Sequence, residues 1–224
     1  MIPWTLLDTA EVPGDGGELR LLQRGAEFSI RLGHNELMNS RVHESEEALA
    51  KIAIAKIGDH ARPRILIGGL GMGFTLRAAL RVIGAEARVV VAELVPAVVA
   101  WNHGWLADVS DRSLADARVI IREEDVASLI MSERSAYDAI LLDVDNGPEA
   151  LTRKANDRLY DLAGLGAAYA ALRSRGVLAA WSARPDRNFT QRLRNTGFEV
   201  NEVRVRARGA RGGARQIIWI AARP

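Results

Sequence analysis

A strand-like run, RILI (64–67), leads directly into GGLGMG (68–73) and then into TLRAALRVI (75–83), whose apolar residues recur with helical spacing. A second apolar run, RVVVA (88–92), follows and ends on Glu93. Strand, glycine turn, helix and strand in so short a span leave little choice. The two strands lie parallel in one sheet, with the helix crossing over one face. Glycines at the turn permit positive φ and let a ligand approach the backbone beside the positive end of the helix dipole. An acid at the tip of the next strand, 20 residues after Gly73, stands where ribose hydroxyls are taken. Gly68, Gly69, Gly71, Gly73 and Glu93 are therefore candidate nucleoside-binding residues. The same glycines would also suit a plain tight turn, and the position of Glu93 separates the two readings. A dinucleotide is disfavoured, because a G-x-G-x-x-G pattern begun at Gly69 puts Phe74 where close helix–strand packing needs a small residue.

The alternation continues on both sides. ESEEALAKIAIAKI (44–57) reads as a helix with acids in its first turn, where they favour the dipole. After Glu93 the pattern predicts a helix over 96–107, a strand over 118–121 and a short helix over 125–132. A strand over 137–142, a long helix over 156–173, a strand over 176–181 and a helix over 186–195 follow. FEVNEVRVRA and RQIIWIAA then form an antiparallel pair joined by 206–215. Near-continuous apolar strands separated by helices mean an α/β fold with a mostly parallel sheet buried on both faces. Ahead of it, residues 1–43 hold short alternating segments (WTLLD, ELRLLQR, EFSIRL) around a Pro-Gly-Asp-Gly-Gly turn, a β-hairpin region too small for its own core. The expected division is a β-rich segment at 1–43 and a nucleoside-binding domain at 44–224.

Composition mainly excludes. There is no cysteine, so neither disulfides nor thiolate metal sites are possible, and the four histidines lack metal-ligand spacing. The N-terminus has no signal-peptide pattern and no apolar run reaches membrane-spanning length, so a cytoplasmic protein is expected. Net charge is only +2, which is no argument for nucleic acid. Lysine occurs only at 51, 56 and 154, so the basic residues are almost all arginine and their placement carries any meaning.

GGLGMGFTLR resembles the glycine loop of spermidine synthases and related aminopropyltransferases, a family with the class I methyltransferase fold. The similarity runs from about 26 to 221 and includes Glu93, Asp125 after the third strand, and YDAILLDVDNGP (137–148) for the family's aspartate-rich loop. The resemblance implies a Rossmann-like class I methyltransferase fold, a seven-stranded sheet with an antiparallel last strand, and a homodimer. It also implies a donor, S-adenosylmethionine (SAM) or its decarboxylated form, with Glu93 on the ribose hydroxyls and Asp125 on the adenine amino group. Asp143, and Asp145 beyond it, would serve the transfer step, since a carboxylate facing the sulfonium can orient an amine and accept its proton. Asp143 also suits a loop cap, and the Asp-Asn-Gly-Pro run from Asp145 is equally a good turn.

The departures lie on the acceptor side. Gly71 stands where the family carries an aspartate that holds the donor's amine, and Ser45, in HESEEALA, stands where a tyrosine is expected. The aspartate-rich loop is one residue short. Trp181 replaces a common glutamine, while Asn39, Ser40 and Glu46 are candidates for the same mouth. Arg204, Arg206, Arg208, Arg211 and Arg215 crowd the final hairpin, near the family's acceptor pocket, where guanidinium groups would attract anions. That hairpin reads equally well as a solvated tip. Trp101, Asn102, His103, Gly104 and Trp105 form a cluster best read as core. Three functions remain open: aminopropyl-type transfer to a small-molecule amine, methyl transfer to an anionic small molecule or nucleic acid, and a non-catalytic nucleoside-binding or interaction role.

Overall fold

A computed structural model describes residues 2–14, 16–58, 60–144 and 157–224. Four antiparallel strands come first: β1 (Thr5–Glu11), β2 (Glu18–Arg24), β3 (Glu27–Leu32) and β4 (Asn35–Asn39), paired in chain order. Helix α1 (Glu44–Ile57) leads into the main sheet. There β5 (Arg64–Gly68), α2 (Phe74–Val82), β6 (Arg88–Ala92), α3 (Pro96–His103), β7 (Val119–Arg122), α4 (Val126–Ser132) and β8 (Tyr137–Leu142) alternate. The chain continues through α5 (Asp157–Tyr160), α6 (Leu162–Ala171), β9 (Leu172–Ser182), α7 (Arg187–Thr196), β10 (Glu199–Arg206) and β11 (Arg215–Ala222).

The main sheet has the order β10-β11-β9-β8-β5-β6-β7, with β11 alone antiparallel to its neighbours. The sheet is mostly parallel, as the alternation predicts, and has the seven strands that the resemblance implies. Chain order reverses at β5, which has β6 on one side and β8 on the other, so a crevice opens beyond the carboxyl ends of these strands. Period-two alternation splits each strand between two cores. Ile65, Ile67, Ala139 and Leu141 face α1–α3 and the leader's Leu19, Leu21 and Ile30. Leu66, Ile140, Leu142 and Trp219 face α4, α6 and α7.

Some boundaries differ from the sequence reading. NELMN is a fourth leader strand whose mixed polarity hides it: its Glu36 accepts hydrogen bonds from Ser29 and Asn39. The helix expected at 96–107 stops at His103, with Gly104 at its C-cap. The long helix expected from 156 breaks at Asp161, whose carboxylate accepts the Gly164 amide at 2.7 Å and starts α6 afresh. Strand β9 begins at Leu172, earlier than the Arg-Ser-Arg-Gly turn suggests, because Leu172 pairs with Tyr137 before a register shift. No helix among the described residues is long and apolar enough to cross a membrane.

At the other end of the sheet from the crevice, Asp138 is a buried acid that fastens three segments. Its carboxylate accepts the Arg64 amide at 2.7 Å and the Arg173 guanidinium at 2.8 Å, and lies 3.3 Å from His60 Nδ1. Removing it strands a desolvated amide. Asp138→Ala should therefore cost about 2 kcal/mol in urea unfolding; a cost near zero would show the clasp to be incidental.

Candidate functional site

The glycine loop is shaped by contacts that only glycine tolerates. Gly69, Gly71 and Gly73 have φ of 88°, 52° and 76°. A Cβ on Gly69 would lie 2.5 Å from the Asp143 carbonyl oxygen, and one on Gly73 would lie 2.7 Å from Ser110 Cβ. Gly68 packs against Val126 in the same way. Two side chains hold the loop from behind. Glu93 Oε2 accepts the Leu70 amide and Oε1 accepts the Val95 amide, each at 2.9 Å. Asn102 donates to the Gly71 carbonyl at 2.8 Å and to Val98 at 2.9 Å. Burial pushes the Glu93 pKa up, against the pull of its amide donors. Asn102 stood in the sequence only as part of a tryptophan cluster; an amide side chain near the end of an apolar helix was the available signal. Of that cluster, Trp101 is core and donates to Asp8 at 2.8 Å, while Trp105 is half exposed.

These parts open on one cleft at the carboxyl ends of the strands. Gly69, Gly71, Glu93, Asp125, Asp143, Glu46 and Trp181 all line it. The leader supplies a wall that the sequence did not reveal: Leu19, Ile30, Leu37 and Met38 face the glycine loop across the cleft. Met38 occupies the space beside Gly71, where an added Cβ would lie 2.7 Å from its sulfur. Asp125 caps α4, accepting the Ala127 amide at 2.8 Å, and pairs with Arg158 at 2.7 Å. Its neighbour Glu124 lines the same wall.

Asp143 sits at the end of β8 with its amide on the Gly68 carbonyl. Its Oδ2 accepts the Thr75 hydroxyl at 2.5 Å, a contact no sequence motif announced. Burial pushes its pKa up to about 6, with the Thr75 hydrogen bond opposing. Across from it, Glu46 accepts the Ser45 hydroxyl at 2.6 Å. Its pKa is pushed up to about 7 by burial first and the Asp143 charge second. Trp181 has a buried indole N–H without a hydrogen-bond partner among the described residues. Asp145 lies outside the described residues. Asn39 and Ser40 are spent on the turn after β4, accepting backbone amides.

Arg208 and Arg211 are not among the cleft-lining residues. Arg211 pairs with Glu44 in the first turn of α1, and Arg208 is exposed on the hairpin. Among the described residues no lysine, arginine or histidine lines the cleft, and the charged groups that do are all carboxylates. Among the described residues no cluster of three or more metal-ligating side chains occurs.

The strand order, the β leader and the loop define an α/β protein of the methyltransferase-like fold class. Within that class it has the fold of spermidine synthases. The spermidine synthase of Thermotoga maritima superposes with a TM-score of 0.75 at 17% identity, covering 98% of this chain and 73% of that one. A spermidine synthase in complex with the transition state analogue AdoDATO gives 0.74 at 16%, covering 98% and 72%. A probable spermidine synthase from Corynebacterium glutamicum gives 0.71 at 17%, covering 97% and 80%. No protein-family model and no curated protein sequence matches the chain.

Raised carboxyl pKa values link the cleft to stability. Glu46 and Asp143 bind protons more tightly in the folded chain than in the unfolded one. Their contribution is complete below pH ~4 and is lost as pH rises through about 6 and about 7. Glu46→Gln should accordingly raise Tm at pH 8 by about 3–6 °C and leave it unchanged near pH 4. Thermal unfolding at the two pH values checks this, and a gain independent of pH would contradict it.

Proposed function

We propose that the protein is an alkyltransferase that takes an adenosyl sulfonium donor and moves its aminopropyl-type group to an amine. The observation that carries this reading is Asp143, a carboxylate at the switch-point end of β8, sharing one cleft with the glycine loop and Glu93. The glycine loop would hold the nucleoside, with Glu93 at the ribose. The adenine would lie toward Asp125 and Glu124. That leaves the sulfonium end facing Asp143.

Charge chooses between the donors and between the acceptors. Among the described residues the cleft is lined by Glu46, Glu93, Glu124, Asp125 and Asp143, with no cation beside them. Among these described residues the α-carboxylate of SAM would find no counter-ion, whereas the amine of decarboxylated SAM would. The spermidine synthase solved with AdoDATO supports the same choice of donor. An anionic acceptor is disfavoured for the same reason, because the hairpin arginines stand outside the lining residues. A small-molecule amine fits.

In the transfer, the acceptor nitrogen's lone pair attacks the carbon bound to the sulfonium. The C–N bond forms, and the C–S bond breaks with its electron pair going to sulfur, leaving neutral methylthioadenosine. Asp143 accepts the proton that the amine loses. A carboxyl titrating at about 6 is mostly ionised at pH 7.5 and ready for this. Alignment of the two reactants supplies most of the acceleration.

Incubation with decarboxylated SAM and 1,4-diaminobutane should release methylthioadenosine and an amine lengthened by one aminopropyl group, both read by mass spectrometry. Asp143→Asn should lower kcat by about 10²–10⁴-fold with donor affinity nearly unchanged. Turnover undiminished in that variant would remove Asp143 from the chemistry.

A further inference from the structure

The final hairpin carries positive charge that no acid among the described residues answers. Strands β10 and β11 pair without a register shift, which sets Arg206 directly opposite Arg215 and Arg204 opposite Ile217. Paired residues share a face of the sheet, and so do residues two apart on one strand. Arg204, Arg206 and Arg215 therefore stand on the face where Ile217 and Trp219 enter the core beneath α7. Ile217 also lies opposite Ser182 at the end of β9, so the turn from β9 into α7 brings Arg184 and Arg187 to the same corner. Arg208 opens the turn at the hairpin tip. All six side chains are exposed, and none is ion-paired with another described residue. The nearby acids are already engaged. Glu202 accepts the Thr190 hydroxyl at 2.5 Å, Asp186 caps α7 and pairs with Arg192, and Glu44 holds Arg211. Like charges set directly opposite in a sheet repel, and Arg206 with Arg215 is such a pair. An anion from outside turns that repulsion into binding.

We propose that this corner is a docking surface for single-stranded nucleic acid, held through its phosphates with little regard to base sequence. The composition of the surface selects that partner. None of the large exposed apolar side chains among the described residues lies on it, so it lacks the anchor that a protein interface or a membrane surface needs. Its cations are guanidinium groups, whose planar forks fit phosphate oxygens two at a time and whose faces stack on bases. Arg204 and Arg206 follow each other along one strand face at about 6.7 Å, which suits anions arranged in series. These six arginines are absent from the cleft lining, so the nucleic acid is a partner bound beside the cleft and not an acceptor within it. The inference is independent of the transfer reaction.

Fluorescence anisotropy of a short labelled polyuridine RNA, titrated with the full chain at several salt concentrations, tests the surface. The wild type should bind, with log affinity falling against log salt at a slope of about −3, as about four neutralised phosphates give. Arg206→Glu should weaken binding at least about tenfold and make the slope shallower by about one. That variant should fold, because it removes one of two facing like charges. Replacing Arg184 and Arg187 together by glutamine, on the α7 side of the corner, should weaken binding about tenfold as well and serves if the first variant does not fold. No binding by the wild type at low salt, or an affinity that neither variant changes, overturns the proposal. Polyglutamate or phosphatidylglycerol vesicles bound as tightly as the RNA would also overturn it, since the corner would then answer to negative charge alone.

Discussion

Glu93 accepts the Leu70 amide on one oxygen and the Val95 amide on the other, and the cleft depends on that clasp. It ties the glycine loop after β5 to the chain leaving β6, so the two neighbouring strand ends are joined through one side chain. Asn102 completes the attachment from α3 through the Gly71 carbonyl. The glycines then let the loop lie flat against the Asp143 carbonyl and Ser110, distances at which any Cβ would collide. Burying a carboxylate this deeply is unfavourable unless its oxygens are satisfied, and here backbone amides satisfy them. The same acid that supports the loop also lines the cleft.

The second constraint is charge. Among the described residues five carboxylates and no cation line the cleft, and the Asp143 charge adds to burial in raising the proton affinity of Glu46. Such a cavity favours a cation with amine character over an anion. The leader sheet closes the other side with apolar residues, and Met38 fills the corner beside Gly71. A site that is apolar on one wall and acidic at its end suits a nucleoside carrying a short cationic tail.

Much of this was legible in the sequence, for physical reasons that can be named. The βαβ unit was readable because RILI, GGLGMG and RVVVA carry three separate signals that agree: apolar continuity, glycine where φ must be positive, and an acid at a strand tip. The mostly parallel sheet followed from the alternation of strands and helices, and its antiparallel edge from the final strand pair. The leader's role was not legible, since Met38 and Leu37 reach the cleft only through the pairing of β3 with β4, and NELMN lacks clean alternation. Nor was Thr75, because one hydroxyl in a helix's first turn looks like any other until β8 brings Asp143 beside it. Glu46 was noticed for its neighbourhood, but its coupling to Asp143 is a matter of distance across the fold. The arginine hairpin points the other way: a conspicuous charge run that folds beside Glu44, with Arg208 and Arg211 absent from the cleft lining.

Calorimetric titration of methylthioadenosine and decarboxylated SAM into the wild-type protein and Glu93→Ala reports most directly on whether an adenosyl sulfur nucleoside occupies this loop. Both ligands should bind the wild type, with decarboxylated SAM the tighter because of its cationic tail. Glu93→Ala should lose about 100-fold in affinity for each, a folded state being confirmed by circular dichroism. No binding of either ligand to the wild type, or equal affinity in the variant, would contradict the nucleoside site on which the proposed chemistry stands.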